Sequence, residues 1–89
     1  MKESKKNLIL EHYADTEDVL FADGLDDAII GFDPNLWKVV YSRTKVIDIF
    51  MDRDGMTAEE AEEFAEYNTF AAMVGEKTPL WVEDFFWFY

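Results

Sequence analysis

Ala28-Ile29-Ile30-Gly31-Phe32, then Asp33-Pro34-Asn35, then Trp37-Lys38-Val39-Val40-Tyr41 carries the strongest β signal in the chain. The two outer runs are rich in β-branched and aromatic side chains, which suit a pleated, half-buried surface. Asp-Pro-Asn between them is turn chemistry: Pro presets φ, and Asp and Asn bond their own backbone. Two such runs, so close together, predict an antiparallel hairpin. Gly31 inside the first run predicts a bulge or a close backbone approach.

Downstream of the hairpin the period changes. Ser42 is a natural N-cap for a helix from Arg43 to about Asp52. Val46, Ile47 and Phe50 share one face of it, which Ile49 and Met51 widen. Asp54-Gly55 ends it, because Gly accepts the left-handed conformation just past a helix. Thr57-Ala58-Glu59-Glu60 then reads as a capping box. Glu59, Glu60, Glu62 and Glu63 also lie near the positive end of the helix dipole. This second helix is expected to run to Val74, with Ala61, Phe64, Ala65, Asn68, Ala71 and Ala72 as its packing face and Gly75 as the stop. Leu80-Trp81-Val82 predicts a third strand, and the chain finishes Phe85-Phe86-Trp87-Phe88-Tyr89.

Upstream the signal is weaker. Met1 to Asn7 is locally basic and is expected to be frayed. From Glu11 to Asp33 there are eight acids and no Lys or Arg. A short helix or an irregular segment is expected between Asp15 and Ala22, and Asp23-Gly24 is a turn signal. The fold class is thus α/β of the α+β kind. It is expected as one domain over residues 1–89, with a small antiparallel sheet and two helices packed on one face. The order is roughly β-β-α-α-β.

Composition bounds the function. Of 89 residues 49% are apolar and 17% aromatic, too many for a disordered chain. The absence of Cys excludes disulfides, thiolate metal sites and cysteine nucleophiles. No signal peptide and no membrane-length apolar run is visible, so a cytoplasmic location in a host cell is expected. Twenty acids against eight Lys and Arg give a net charge of −12. Self-repulsion of that size opposes compactness. Nucleic acid and anionic membranes are poor partners for it, and basic protein surfaces are good ones.

Asp54-Gly55-Met56-Thr57-Ala58-Glu59-Glu60-Ala61-Glu62, Glu66-Tyr67-Asn68 and Gly75-Glu76-Lys77-Thr78-Pro79 together resemble a family of small phage and prophage proteins. Its pattern is D-G-M-x-x-E-E-A-x-E, then E-[FY]-N, then G-E-x-T-P. Asp23-Gly24-Leu25-Asp26-Asp27 looks like the family's acidic turn before its first strand. In many members a longer Gly- and Arg-containing loop separates the two strands, where this chain has Asp33-Pro34-Asn35-Leu36. The resemblance covers about residues 20 to 82. It implies a phage or mobile-element origin and an α/β fold, and no particular activity.

Catalytic and metal-binding patterns are not met. If Gly55 is set at position 6 of a calcium loop, Phe50 and Ala61 fall where acidic ligands belong. His12 is the only histidine, too little for structural zinc. No phosphate-binding loop or nucleophile motif is present. No enzyme activity and no cofactor are expected.

Two features point instead to binding. Glu59, Glu63 and Glu66, flanked by Glu62, recur along one helix face, and no Lys or Arg lies between Asp54 and Lys77 to relieve them. Asp15, Glu17, Asp18, Asp23, Asp26 and Asp27 form a second acidic set. A solvated helix face explains the first set at its simplest; spacing that imitates phosphates explains both. The partner-binding candidates are Asp23, Asp26, Asp27, Glu59, Glu62, Glu63, Glu66 and, from the aromatic end, Phe85, Trp87 and Tyr89. Those aromatics either close the core or form an interface, including a homodimer. The expected function is a phage-derived acidic inhibitor of a basic, nucleic-acid-handling host protein, such as a CRISPR or restriction component. The alternative is a phage structural or assembly accessory protein.

Overall fold

The computed structural model describes residues 4–13, 15–72 and 75–84. In order, the elements are α1 (Lys5–His12), a 3-10 turn (Asp26–Ala28), β1 (Ile29–Asp33), β2 (Lys38–Ser42), α2 (Arg43–Asp54), α3 (Ala58–Ala65), a π-helical turn (Glu66–Phe70) and β3 (Leu80–Val82). The fold is α+β, with β2 in the middle of a three-stranded sheet.

The hairpin forms as expected. β1 and β2 pair antiparallel, with Phe32 opposite Val39 and Asp33 opposite Lys38. The register shifts between Ile29 and Gly31, so the bulge expected at Gly31 is present and Ile30 is its extra residue. Trp37, expected in the second strand, instead closes the turn at φ 59. Asp33 explains this: its carboxylate accepts the N–H groups of Asn35 and Leu36, and its carbonyl accepts that of Trp37 at 2.7 Å. So placed, the Trp37 ring meets Phe32 and Tyr13 edge-on, and its indole N–H donates to the Asp15 carbonyl.

The sheet is mixed, not purely antiparallel. β3 pairs parallel to β2, with Tyr41 opposite Trp81. Both α2 and α3 intervene between these strands, which supplies the long crossover that a parallel pair requires. The helices are also not equivalent. α2 packs along β2, whereas α3 packs chiefly on α2.

Two more expectations are corrected. The segment Lys5–His12, expected to be partly frayed, is helical because Ser4 caps it by accepting the Asn7 N–H, and because Ile9 is buried in the core. Residues 15–22 take the irregular alternative and contribute Val19 to the core. Regular α3 helix ends at Ala65, short of Val74; the wider turn that follows seats Phe70 against Trp81 and beneath the Arg43 guanidinium, 4.1 Å from its ring centre. Of the packing face expected for this helix, Ala61 and Ala65 are buried while Phe64, Asn68, Ala71 and Ala72 are exposed. Ser42 caps α2, Gly55 takes φ 68 beyond it, and the capping box on α3 is complete, all as expected.

The core lies on one face of the sheet, around Val39 and Tyr41, and includes Ile9, Leu25, Ile29, Val46, Phe50, Ala61 and Ala65. Tyr41 is fully buried. Its ring stacks on Trp81, and its hydroxyl accepts the Ala22 N–H at 2.7 Å, which ties the irregular segment to the central strand. Burial pushes the phenol pKa up from 10.0 to about 12; the Ala22 hydrogen bond opposes the rise and the Asp26 carboxylate adds to it.

A testable sign follows from this shift. Above pH 10 the unfolded chain ionises this tyrosine while the folded chain holds the proton until about pH 12. Its stabilising contribution is therefore complete below pH 10 and falls away between 10 and 12, by up to about 2–3 kcal/mol. Tyr41→Phe is expected to unfold more easily by about 1–2 kcal/mol at pH 7, because the Ala22 N–H loses its partner. It should also show a shallower alkaline decline than the parent in denaturant titrations.

Ser42 gives a second test. It is fully buried, its Oγ accepts the Lys45 N–H, and it donates to Asp84 Oδ1 at 2.5 Å. Ser42→Ala removes a helix cap and a charge-assisted bond together, an expected loss of about 2 kcal/mol, measurable by the same titrations.

Candidate functional site

Thr57 starts the site. Its hydroxyl accepts the Glu60 N–H at 3.2 Å, and the Glu60 carboxylate returns to the Thr57 N–H at 2.9 Å. These hydrogen bonds hold the Glu60 carboxyl below the usual carboxylate range. Glu60 is thereby committed to the cap, and the remaining glutamates project from the helix that it starts.

Ala61 and Ala65 are fully buried on the inner side of α3. With 3.6 residues per turn, Glu59, Glu62, Glu63 and Glu66 then fall on the outer side. All four are exposed. Together with Tyr67 and Ala71 they line an open groove of about 700 Å³. No Lys or Arg is among its described lining residues. A second shallow groove, about 360 Å³, runs along the other side of the same ridge and is lined by Met56, Glu60, Glu63, Phe64, Tyr67 and Asn68. Glu63 and Tyr67 belong to both.

The acidic face is not wholly unrelieved. Glu66 is ion-paired with Arg43, which reaches it from the start of α2 and also holds Glu83 at 3.1 Å. Spacing along α3 alone offers these charges no relief; it arrives from another element. Glu59, Glu62 and Glu63 have no ion pair with a described residue.

The second acidic set behaves differently. Asp23 is exposed in a turn, Asp27 is exposed and Asp26 half-buried in the 3-10 turn. Lys5 donates its ammonium to the Asp27 carbonyl at 2.9 Å, and Arg53 donates its guanidinium to the Gly24 carbonyl at 2.9 Å. Two cations thus sit against this loop, so this set too is more relieved than its sequence suggests. Gly24 holds φ 78, which favours glycine, and a Cβ there would lie 2.9 Å from Arg53 Nη1, so the guanidinium would have to shift. α2 packs on both the 3-10 turn and α3. The acidic groove on α3 contains none of Asp23, Asp26 and Asp27. Phe85, Trp87 and Tyr89 lie outside the described residues.

Tyr67 was missed as a site residue. It is 77% exposed, the most exposed large apolar side chain among the described residues, with Phe64 beside it at 41%. Its signal lay in the sequence: Tyr67 stands four residues after Glu63 and eight after Glu59, on their face.

Among the described residues no group of three His, Asp or Glu side chains is arranged to hold a metal ion. None of the described helices is long and apolar enough to cross a membrane. No family model, curated protein or solved structure matches the chain.

The cap is open to test. Thr57→Ala is expected to cost about 1 kcal/mol, read from the denaturant midpoint. Because the Glu60 carboxyl is held low, its support of α3 is present at neutral pH and is lost as pH falls through its folded pKa. The difference between Thr57→Ala and parent should shrink on acidification.

Proposed function

We propose that this protein is an acidic binding protein of phage origin that occupies a basic, nucleic-acid-handling surface of a host protein and inhibits it. The observation that carries the reading is the groove on α3, where Glu59, Glu62 and Glu63 line one side of a helix without an ion pair to a described residue, beside Glu66, which Arg43 pairs. The net charge of −12 supports it, because such a field steers a protein toward basic partners. The treatment of the positive charges supports it as well. Lys5, Arg43, Arg53 and Lys77 are engaged with backbone carbonyls or carboxylates of the chain, and Lys6 lies over the Phe21 ring. The phage origin rests on the resemblance of residues 20 to 82.

An enzyme is the weaker reading. The acidic grooves are shallow and open, and glutamate is their only titratable carboxylate type. General acid–base chemistry wants groups whose environments push their pKa values apart, and Glu60, whose carboxyl is held low, is committed to the helix cap.

The test is capture from a host lysate by the tagged protein at low and high salt, with mass spectrometry of the eluate. A nucleic-acid-binding protein recovered at low salt and lost at high salt is the expected result. Glu59→Gln, Glu62→Gln and Glu63→Gln combined should reduce that recovery by roughly tenfold or more. Glu66 is left in place because its pair with Arg43 supports the fold. Capture that is indifferent to these changes at low salt overturns the reading. Recovery of virion components alone favours an assembly accessory instead.

A further inference from the structure

We infer that the ridge formed by Glu63 and Tyr67 is an arginine-binding site: the partner docks there through an arginine-bearing amphipathic segment, with Tyr67 as the aromatic platform. This inference rests on the acidic-binding reading above and names the side chain that the site selects.

An exposed apolar stripe runs along the outside of α3. Tyr67 is 77% exposed and Phe64 41%, although the helix that carries them has a well-formed inner face in Ala61 and Ala65. Phe64 is anchored on its inner edge by the Phe50 ring, centroid to centroid 5.2 Å and nearly perpendicular, so it is held in place rather than loose. Met56 joins the stripe from the turn before α3, along the same shallow groove. The π-helical turn begins at Glu66, and Tyr67 is its second residue. Such turns recur at functional sites.

Charge then selects the partner. The stripe is bordered by Glu59, Glu62, Glu63 and Glu66 on one side and by Glu60 and Glu63 on the other. An aromatic ring flanked by carboxylates attracts a cation twice, through the ring face and through the acids. Lysine and arginine differ at such a place. Guanidinium is planar, less strongly hydrated, stacks on aromatic faces and forks onto a carboxylate, whereas ammonium is a hydrated point charge. Elsewhere in this chain the same combination is already in use: the Arg43 guanidinium lies 4.1 Å from the Phe70 ring centre while bonding Glu66 and Glu83. Tyr67 and Glu63 offer the same pair of groups on the open surface, with no described Arg on them. The apolar groove along Met56 and Phe64 takes a neighbouring apolar side chain of the same segment, which is the usual division between anchor and rim.

The probes are two amphipathic peptides of equal length and charge, one alternating arginine with leucine at helical spacing and the other carrying lysine at each arginine. Calorimetric titration of the protein with each is expected to show binding of the arginine peptide at least tenfold tighter than the lysine peptide. Tyr67→Ala, a change at an exposed position, should bring the arginine peptide down to the lysine level and leave the lysine peptide unchanged. Asp26→Asn with Asp27→Asn should preserve the preference. Equal binding of the two peptides, or a preference that survives Tyr67→Ala, overturns the inference. The acidic-binding reading fails separately: its own test is the salt-sensitive lysate capture and its loss on Glu59, Glu62 and Glu63 substitution. If that capture depends on the glutamates and is untouched by Tyr67→Ala, the acidic reading stands and the arginine site does not.

Discussion

Three consecutive residues where β2 becomes α2 hold the molecule together. Tyr41 points into the core, takes the Ala22 N–H and stacks on Trp81. Ser42 caps α2 and holds Asp84, just past β3. Arg43 reaches Glu66 and Glu83 and covers Phe70. Successive side chains at a strand end point in different directions, so one short piece of backbone addresses the irregular N-terminal segment, the parallel strand and the far end of α3. A domain of this size has a modest apolar core, and buried hydrogen bonds at one junction give that core a fixed geometry.

The same junction shapes the surface. Arg43 pairs with Glu66, which leaves Glu59, Glu62 and Glu63 as the charges that face outward without an ion pair to a described residue. Phe70 is seated by Trp81 and Arg43, and the wider turn that places it also sets Tyr67 on the outside. The structural tie and the candidate binding face are therefore two sides of one turn of helix. Changes at Arg43 act on both, and for that reason Glu66 and Arg43 are poor positions at which to probe binding alone.

The distribution of charge sharpens the functional reading. Lysine and arginine are scarce in this chain, and several are spent on satisfying carbonyls at turns and helix ends: Lys5 at Asp27, Arg53 at Gly24, Lys77 at Leu36. Such contacts add little stability individually when exposed. Their larger effect is to place positive charge against the N-terminal acidic loop and away from the outer face of α3.

Local chemistry determined the parts that a few neighbouring residues specify. The hairpin of Ile29–Asp33 with Lys38–Ser42, the bulge at Gly31, the Ser42 and Thr57 caps, the left-handed Gly55 and the outward row Glu59, Glu62, Glu63 all follow from residues within a few positions of one another, so they were legible in the chain itself. Only the tertiary structure decided the rest. The direction of β3 depends on what lies between it and β2, not on Leu80-Trp81-Val82. α1 exists because Ile9 finds the core, although its own sequence is scarcely amphipathic. The early end of regular helix at Ala65 is set by Phe70 meeting Trp81 and Arg43, partners far away in sequence. Whether an acid is paired is likewise a question of space: Arg43 lies 23 residues from Glu66 and beside it in the fold, and no periodicity along α3 contains that fact.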